Sequence, residues 1–130
     1  MAVTRGIADT SVFIARESGR PVNVSALPDE LAISVITVGE LRAGVLVAGD
    51  VEQRDRRLAT LSRAMLLDAI GIDTSIAETW ARLRASLRES GQRVGVNDSW
   101  IAATALALGV PVVTQDRDYD GIPGLDVIRV

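Results

Sequence analysis

The chain contains no histidine, no cysteine and no lysine in 130 residues. Without His or Cys there is no Ser-His-Asp or Cys-His nucleophile, no imidazole base and no zinc site of the usual nitrogen and sulfur ligands. Without Lys there is no Walker-type phosphate loop and no Schiff base. Aromatic rings are limited to Phe13, Trp80, Trp100 and Tyr119, which argues against a row of base-stacking platforms. No basic segment leads into an apolar run at the amino terminus, and no apolar run is long enough to span a bilayer. The expectation is a soluble, cytoplasmic protein, with which the lack of Cys is compatible. What remains available is oxygen chemistry.

Four acids stand out: Asp9, Glu40, Asp98 and Asp116 each follow a short apolar stretch or open a helix. Clustered carboxylates repel one another unless a cation sits between them, and oxygen-only ligands select a hard ion such as Mg²⁺ or Mn²⁺. The net charge of −3 and a pI near 4.9 by themselves disfavour a nucleic-acid partner. Neutralising the four acids moves the remainder from −3 to +1, and every positive charge is Arg. The guanidinium fork suits phosphate, although a GC-rich coding background accounts for the same usage.

A chain of 130 residues that is 48% apolar fits one domain over residues 1–130 with an aliphatic core. Gly6-Ile7-Ala8 reads as the end of a buried strand, placing Asp9 at its carboxyl end, with Thr10 or Ser11 as the cap of a short helix. Residues 22–27 read as a helical turn and 31–34 as a second strand. Thr37-Val38-Gly39-Glu40 has the spacing of a capping box, so a helix is predicted from about Thr37. Residues 50–65 carry Leu58, Leu61 and Met65 at helical spacing. A strand is expected over 67–72, then an amphipathic helix capped at Asp73-Thr74, with Ile76, Trp80, Leu83 and Leu87 on one face and Gly91 as its stop. The last helix runs from about Val96 to Leu108 with Asp98 in its first turn. Strands at 112–114 and 127–130 follow. Strands alternating with helices predict an α/β fold with a mostly parallel sheet. In such sheets ligands bind beyond the carboxyl ends of the strands.

Taken singly, each acid has an ordinary explanation: Asp9 as a helix cap, Glu40 as an arm of the capping box, Asp98 as a first-turn acid favoured by the helix dipole, Asp116 as a turn residue. The functional case rests on all four reaching the same sheet edge, which spacing does not prove.

Four segments carry a resemblance that runs end to end: Asp9-Thr10-Ser11, Thr37-Val38-Gly39-Glu40-Leu41, Asn97-Asp98-Ser99-Trp100-Ile101-Ala102-Ala103 and Thr114-Gln115-Asp116-Arg117-Asp118-Tyr119. The chain resembles a PIN-domain ribonuclease of the VapC type, the toxin of a bacterial toxin–antitoxin pair. The resemblance implies a PIN-like three-layer α/β/α fold with a central sheet of about five strands. It implies catalytic and metal-binding roles for Asp9, Glu40, Asp98 and Asp116 around one or two Mg²⁺ or Mn²⁺ ions. Asp118 matches a second acid beside the fourth, so that either it or Asp116 is the closer ligand, and Asp120 reads as a plain loop residue. Thr10 or Ser11 would orient ligands through hydrogen bonds.

An ion held by Asp9 and Asp98 would generate hydroxide from water near neutral pH without a His, with charge stabilised nearer Glu40 and Asp116. The family expectation is cleavage of RNA, such as a transfer RNA or ribosomal RNA loop, to 5′-phosphate and 3′-hydroxyl ends. The implied partner is a VapB-like antitoxin that lays an apolar segment across the helices near Val45, Leu46 and Leu58 and presents an Arg to the acids. Homodimers and larger assemblies with antitoxin are implied too. Trp80 is expected in the core. The alternatives are a catalytically idle binding module of the same fold, or another carboxylate-metal enzyme such as a phosphatase or a sugar-nucleotide transferase using Asp116-Arg117-Asp118.

Overall fold

The computed structural model describes residues 2–130. Strands β1 (Arg5–Ala8), β2 (Glu30–Ser34), β3 (Asp68–Ile70), β4 (Val112–Thr114) and β5 (Val127–Arg129) form one sheet in the order β3-β2-β1-β4-β5. Every pairing is parallel. The helices are α1 (Thr10–Glu17), α2 (Val35–Leu46), α3 (Val51–Ala64), α4 (Thr74–Ser90) and α5 (Val96–Leu108), with 3₁₀ turns at Val24–Ala26 and Arg117–Tyr119. The expected α/β class and sheet of about five strands agree with this architecture. Among the described residues no helix is long and apolar enough to cross a membrane.

Strand alternation divides the core between the two faces of the sheet. Ile7 packs with Ile76, Leu83 and Leu87 of α4 and with Ile101 and Ala105 of α5. Its neighbour Ala8 packs on the opposite face with Ile33 of β2, Leu41 and Val45 of α2, and Leu61 and Ala64 of α3. Each fully buried Ile or Leu contributes about 2 kcal/mol of transfer free energy. Helix α5 is apolar almost all round and is buried from Ser99 and Ile101 through Ala105, as expected of a helix enclosed by its neighbours.

β1 is the pivot of the topology. The chain leaves it for β2 on one side, and returns through α5 to β4 on the other. The carboxyl ends of β1 and β4 therefore flank the point where the strand order reverses, the position at which open parallel sheets bind ligands. Close packing at this pivot explains Gly6. A Cβ there would lie 2.9 Å from Val113 Cγ2, 3.2 Å from Pro28 Cγ and 3.3 Å from the Pro111 carbonyl. Gly6→Ala is expected to cost roughly 1–3 kcal/mol through overpacking, read as a fall of several degrees in the thermal midpoint.

Three element boundaries differ from expectation. Helix α1 is capped by Asp9, which accepts from Ser11 N, so Thr10 and Ser11 are its first helical residues and not its caps. Helix α2 starts at Val35, directly after β2, with Ser34 accepting from Ile36 N at 3.1 Å. Ser34 is thus both strand end and cap, and the Thr37–Glu40 capping box does not form. β3 covers three residues because β2 turns into α2 after Ser34, leaving no partner beyond Ile70. The other expected boundaries of α4 agree: Asp73 receives Ile76 N, and Gly91 closes the helix in the left-handed region at φ 70°. The expected 50–65 helix is α3, capped by Asp50, which receives Gln53 N.

Candidate active site

Asp9 leaves β1 at its carboxyl end and is 2% exposed. Its Oδ2 accepts from Ser11 N at 3.3 Å and from Thr114 Oγ1 at 2.9 Å. Its Oδ1 accepts from the Tyr119 hydroxyl at 2.8 Å. An ionised carboxylate offers about four lone-pair sites, so these three donors leave Oδ1 with capacity to spare. The two sequence-level explanations of Asp9 are therefore compatible: one oxygen caps α1 while the other is turned to its neighbours.

The orientation of the surrounding hydroxyls follows from counting protons. Thr114 is fully buried and gives its single proton to Asp9, so the proton between Ser11 Oγ and Thr114 Oγ1, 3.1 Å apart, comes from Ser11. Ser11 Oγ in turn accepts from Gln115 N at 3.0 Å, and Thr114 Oγ1 accepts from Asp116 N at 2.8 Å. A second relay holds Glu40. Thr10 Oγ1 donates to Glu40 Oε1 at 2.8 Å, which makes buried Thr37 the donor to Thr10 across 2.9 Å. Thr37 and Glu40 thus belong to one network, although not as a cap.

Asp98 lies in the first turn of α5, which α4 fixes in place. Trp80 Nε1 donates to Ser99 Oγ at 3.0 Å, and Ser99 Oγ donates to the Val96 carbonyl. The Trp80 and Trp100 rings stack 4.3 Å apart at an interplanar angle of 3°. Trp80 is half-buried against the α4–α5 core, consistent with the expected core role.

Asp98, Asp116 and Asp118 each offer a carboxylate oxygen, all within 4.8 Å of one another. Asp116 caps the 3₁₀ turn by accepting from Asp118 N at 2.9 Å, which folds the two acids together. Glu40 and Asp9 stand outside this closest group. They are coupled to it electrostatically: burial first, then the charge of Asp9, push Asp98 up to about 6, with smaller contributions from Asp116 and Glu40, while the Tyr119 hydrogen bond opposes the shift. Asp120 is structural, ion-paired with Arg129 and accepting from Gln92 through its carbonyl.

Tyr119 and Thr114 are the two organising residues to which sequence reasoning gives no role beyond membership of the 114–119 segment. The Tyr119 hydroxyl also lies 3.1 Å from Asp98 Oδ1. A phenol carries one proton, so it is shared between Asp9 and Asp98. Burial and these two carboxylates push the phenol's pKa up, which keeps it a donor. A lone Tyr directly after the Asp116-Arg117-Asp118 segment, in a chain with four aromatic residues, was the available signal.

No Arg forms an ion pair with Asp9, Glu40, Asp98, Asp116 or Asp118 among the described residues. An all-oxygen donor set, close carboxylates without a protein counter-ion and an Asp98 disfavoured as an anion together fit a hard divalent cation.

Fold and site define a parallel α/β domain with an acidic cluster over its strand-order reversal. The PIN domain family matches residues 7–125. Ribonuclease VapC5 of Mycobacterium tuberculosis is 48% identical over 128 residues, covering 96% of this chain and 95% of the relative. Ribonuclease VapC4 of the same organism is 46% identical over 130 residues, covering 100% of both. A crystal structure of VapBC-5 from M. tuberculosis, a member of the VapBC family of toxin–antitoxin systems, matches with a TM-score of 0.89 at 44% identity, covering 98% of this chain and 99% of that one. The chain belongs to the PIN domain family and, within it, to the VapC group.

Proposed function

We propose that the protein is a metal-dependent endoribonuclease and the toxin of a toxin–antitoxin pair, with Asp9, Glu40, Asp98 and Asp116 as catalytic residues and Asp118 as an added ligand. The observation that carries this is the meeting of the acids at the sheet's ligand-binding edge, where the Tyr119 hydroxyl bridges Asp9 and Asp98, and Asp98, Asp116 and Asp118 bring carboxylate oxygens within 4.8 Å of one another. The names of the relatives as VapC ribonucleases support it. Asp98 and Asp116, with Asp118, would hold Mg²⁺ or Mn²⁺, together with the unshared capacity of Asp9 Oδ1 and Glu40. When bound, the ion supplies Lewis-acid chemistry, activating water at neutral pH and neutralising phosphate charge.

The chain's own residues supply orientation. Thr114, Ser11 N and Tyr119 fix the Asp9 carboxylate, Thr10 fixes Glu40, and the Trp80–Ser99 bond fixes the turn that carries Asp98. Such donors keep ligand carboxylates in one geometry through the reaction. Glu40 and Asn97 line a common cleft, which gives an RNA strand an approach to the acids.

Purified protein incubated with total RNA is expected to cut it with Mg²⁺ or Mn²⁺ and to lose essentially all activity in EDTA. Fragments should carry 5′-phosphate and 3′-hydroxyl ends. Ends bearing 2′,3′-cyclic phosphate would mean attack by the substrate's own 2′-hydroxyl and would sink the assignment of water as nucleophile.

A VapB-like antitoxin is the proposed inhibitor, supported by the toxin–antitoxin complex found among the similar structures. Val45 is buried in the core and is not available to such a partner, a correction to the expected contact surface. Leu46 is 72% exposed, Val47 75% and Leu58 43%. Val47 lines a groove that also holds Glu40 and Thr10, so an apolar segment seated there would bring an Arg within reach of the acids. Co-expression with the antitoxin followed by mass measurement tests this pairing and the stoichiometry of the assembly.

A further inference from the structure

A cleft of about 400 Å³ opens beside Asp116, lined by Ser11, Arg20, Gln115 and Asp116. The Ser11 hydroxyl and the Gln115 side-chain amide of its floor each already make a hydrogen bond within the protein. Ser11 Oγ accepts from Gln115 N and passes its proton to Thr114, and Gln115 Nε2 donates to the Pro21 carbonyl at 2.9 Å. Arg20 is the cation of the cleft. Its side chain is exposed and forms no ion pair among the described residues.

The backbone beneath Arg20 is held from three directions. Its N–H donates to the Ala15 carbonyl at 2.8 Å, closing α1 through Gly19 at φ 74°. Pro21 restricts the residue before it to extended conformations. Gln115 clamps Pro21 to the segment that leads from β4 into Asp116. Arg20 is thereby carried on a fixed turn at the edge of the acidic cluster, with its donors unused.

We propose that this cleft is a substrate subsite in which Arg20 binds an RNA phosphodiester neighbouring the one that the acidic cluster engages. The inference rests on the ribonuclease function proposed above. A guanidinium presents five donors in a planar fork that matches phosphate oxygens bidentately. With the Ser11 hydroxyl proton passed to Thr114 and a Gln115 side-chain N–H held by Pro21, the charge left unpaired in the cleft beside Asp116 is that of Arg20, and the complementary ligand is one that brings anionic acceptors to Arg20 while keeping them off Asp116. A nucleic-acid strand meets that requirement, because its negative charges are spaced along a backbone. Arg20 would set the position of the strand across the site, and so act in binding rather than in bond cleavage.

The test uses the full chain carrying Asp98→Asn, so that RNA stays intact, in magnesium buffer. Binding of a fluorescein-labelled, mixed-sequence single-stranded RNA is followed by anisotropy over a series of salt concentrations. Adding Arg20→Ala should weaken binding about tenfold and make the slope of log K against log salt shallower by about 0.7, the value for one phosphate contact on a single strand. Arg20→Lys should restore the slope, because it keeps the charge, but only part of the affinity. Arg82→Ala, at an arginine paired with Glu78 on α4, should leave both unchanged. In the cleaving enzyme Arg20→Ala should raise KM more than it lowers kcat. If the parent binds RNA and Arg20→Ala binds with the same affinity and slope, the subsite is refuted while the ribonuclease function stands. If the parent binds no RNA, the subsite is refuted, and the ribonuclease function is decided separately by cleavage with the wild-type protein.

Discussion

Asp98→Asn is expected to lower RNA cleavage on the order of 10³-fold or more, because it removes one charge from the cluster proposed to hold the ion and to stabilise the transition state. The same change should make the metal-free protein more stable. The folded state raises Asp98 from its ordinary 3.8 to about 6, so the fold disfavours the anion. The corresponding shift in free energy must be discounted heavily because the carboxyl is only about half buried, leaving a gain on the order of 1 kcal/mol for a neutral side chain at pH 7. A folded pKa above the unfolded one means that the group's favourable contribution is complete below about 3.8 and is lost as pH rises through about 6. Wild-type protein in EDTA should therefore gain stability relative to Asp98→Asn as the pH falls across that window. Thermal melts of both proteins between these limits measure the difference. A variant that melts well below wild type at neutral pH would make Asp98 a structural first-turn acid and remove it from the proposed site.

Tyr119→Phe should be the most informative change outside the acids. It deletes the proton that Asp9 and Asp98 share while keeping the buried ring. Loss of a hydrogen bond to charged groups is expected to cost about 1.5–3 kcal/mol. Because the phenol opposes the rise of Asp98, its removal should carry the Asp98 titration in metal-free protein above about 6, observable by carboxyl ¹³C NMR. Activity should fall as Asp9 loses one of the three donors that orient it. Tyr119→Ala should be worse for stability, since deleting a buried aromatic ring adds a cavity cost, for a total of about 3–5 kcal/mol. Unchanged activity and titration in Tyr119→Phe would make the hydroxyl a bystander.

Much of the secondary structure is legible because its signals are local. Asp50 and Asp73 cap helices through their own neighbours three residues on, and Gly91 and Gly109 end helices at positive φ. The errors arise where a distant partner competes with a local rule. Thr37 and Glu40 have the spacing of a capping box, but Ser34 at the end of β2 already caps α2, which releases both side chains to Thr10 on another helix. β3 has a longer apolar sequence than strand because its length is set by β2. Val45 and Leu46 are adjacent apolar residues of α2, yet packing against α3 buries the first and leaves the second exposed.

The inventory of residue types determined by itself what chemistry is open to this protein. A chain without His, Cys or Lys is confined to oxygen ligands and carboxylates, and alternating strand and helix signals imply a parallel sheet whose carboxyl edge carries Asp9 and Asp116. Only the tertiary structure decided how the acids meet. Asp9, Asp98 and Asp116 are separated by many residues, and no local rule measures the distance between them. Chain crossovers on either side of β1 bring their elements together, a single phenol then bridges Asp9 to Asp98, and the 3₁₀ turn folds Asp118 against Asp116. The raised pKa of Asp98 has the same origin, since burial and through-space repulsion exist only once the chain has folded.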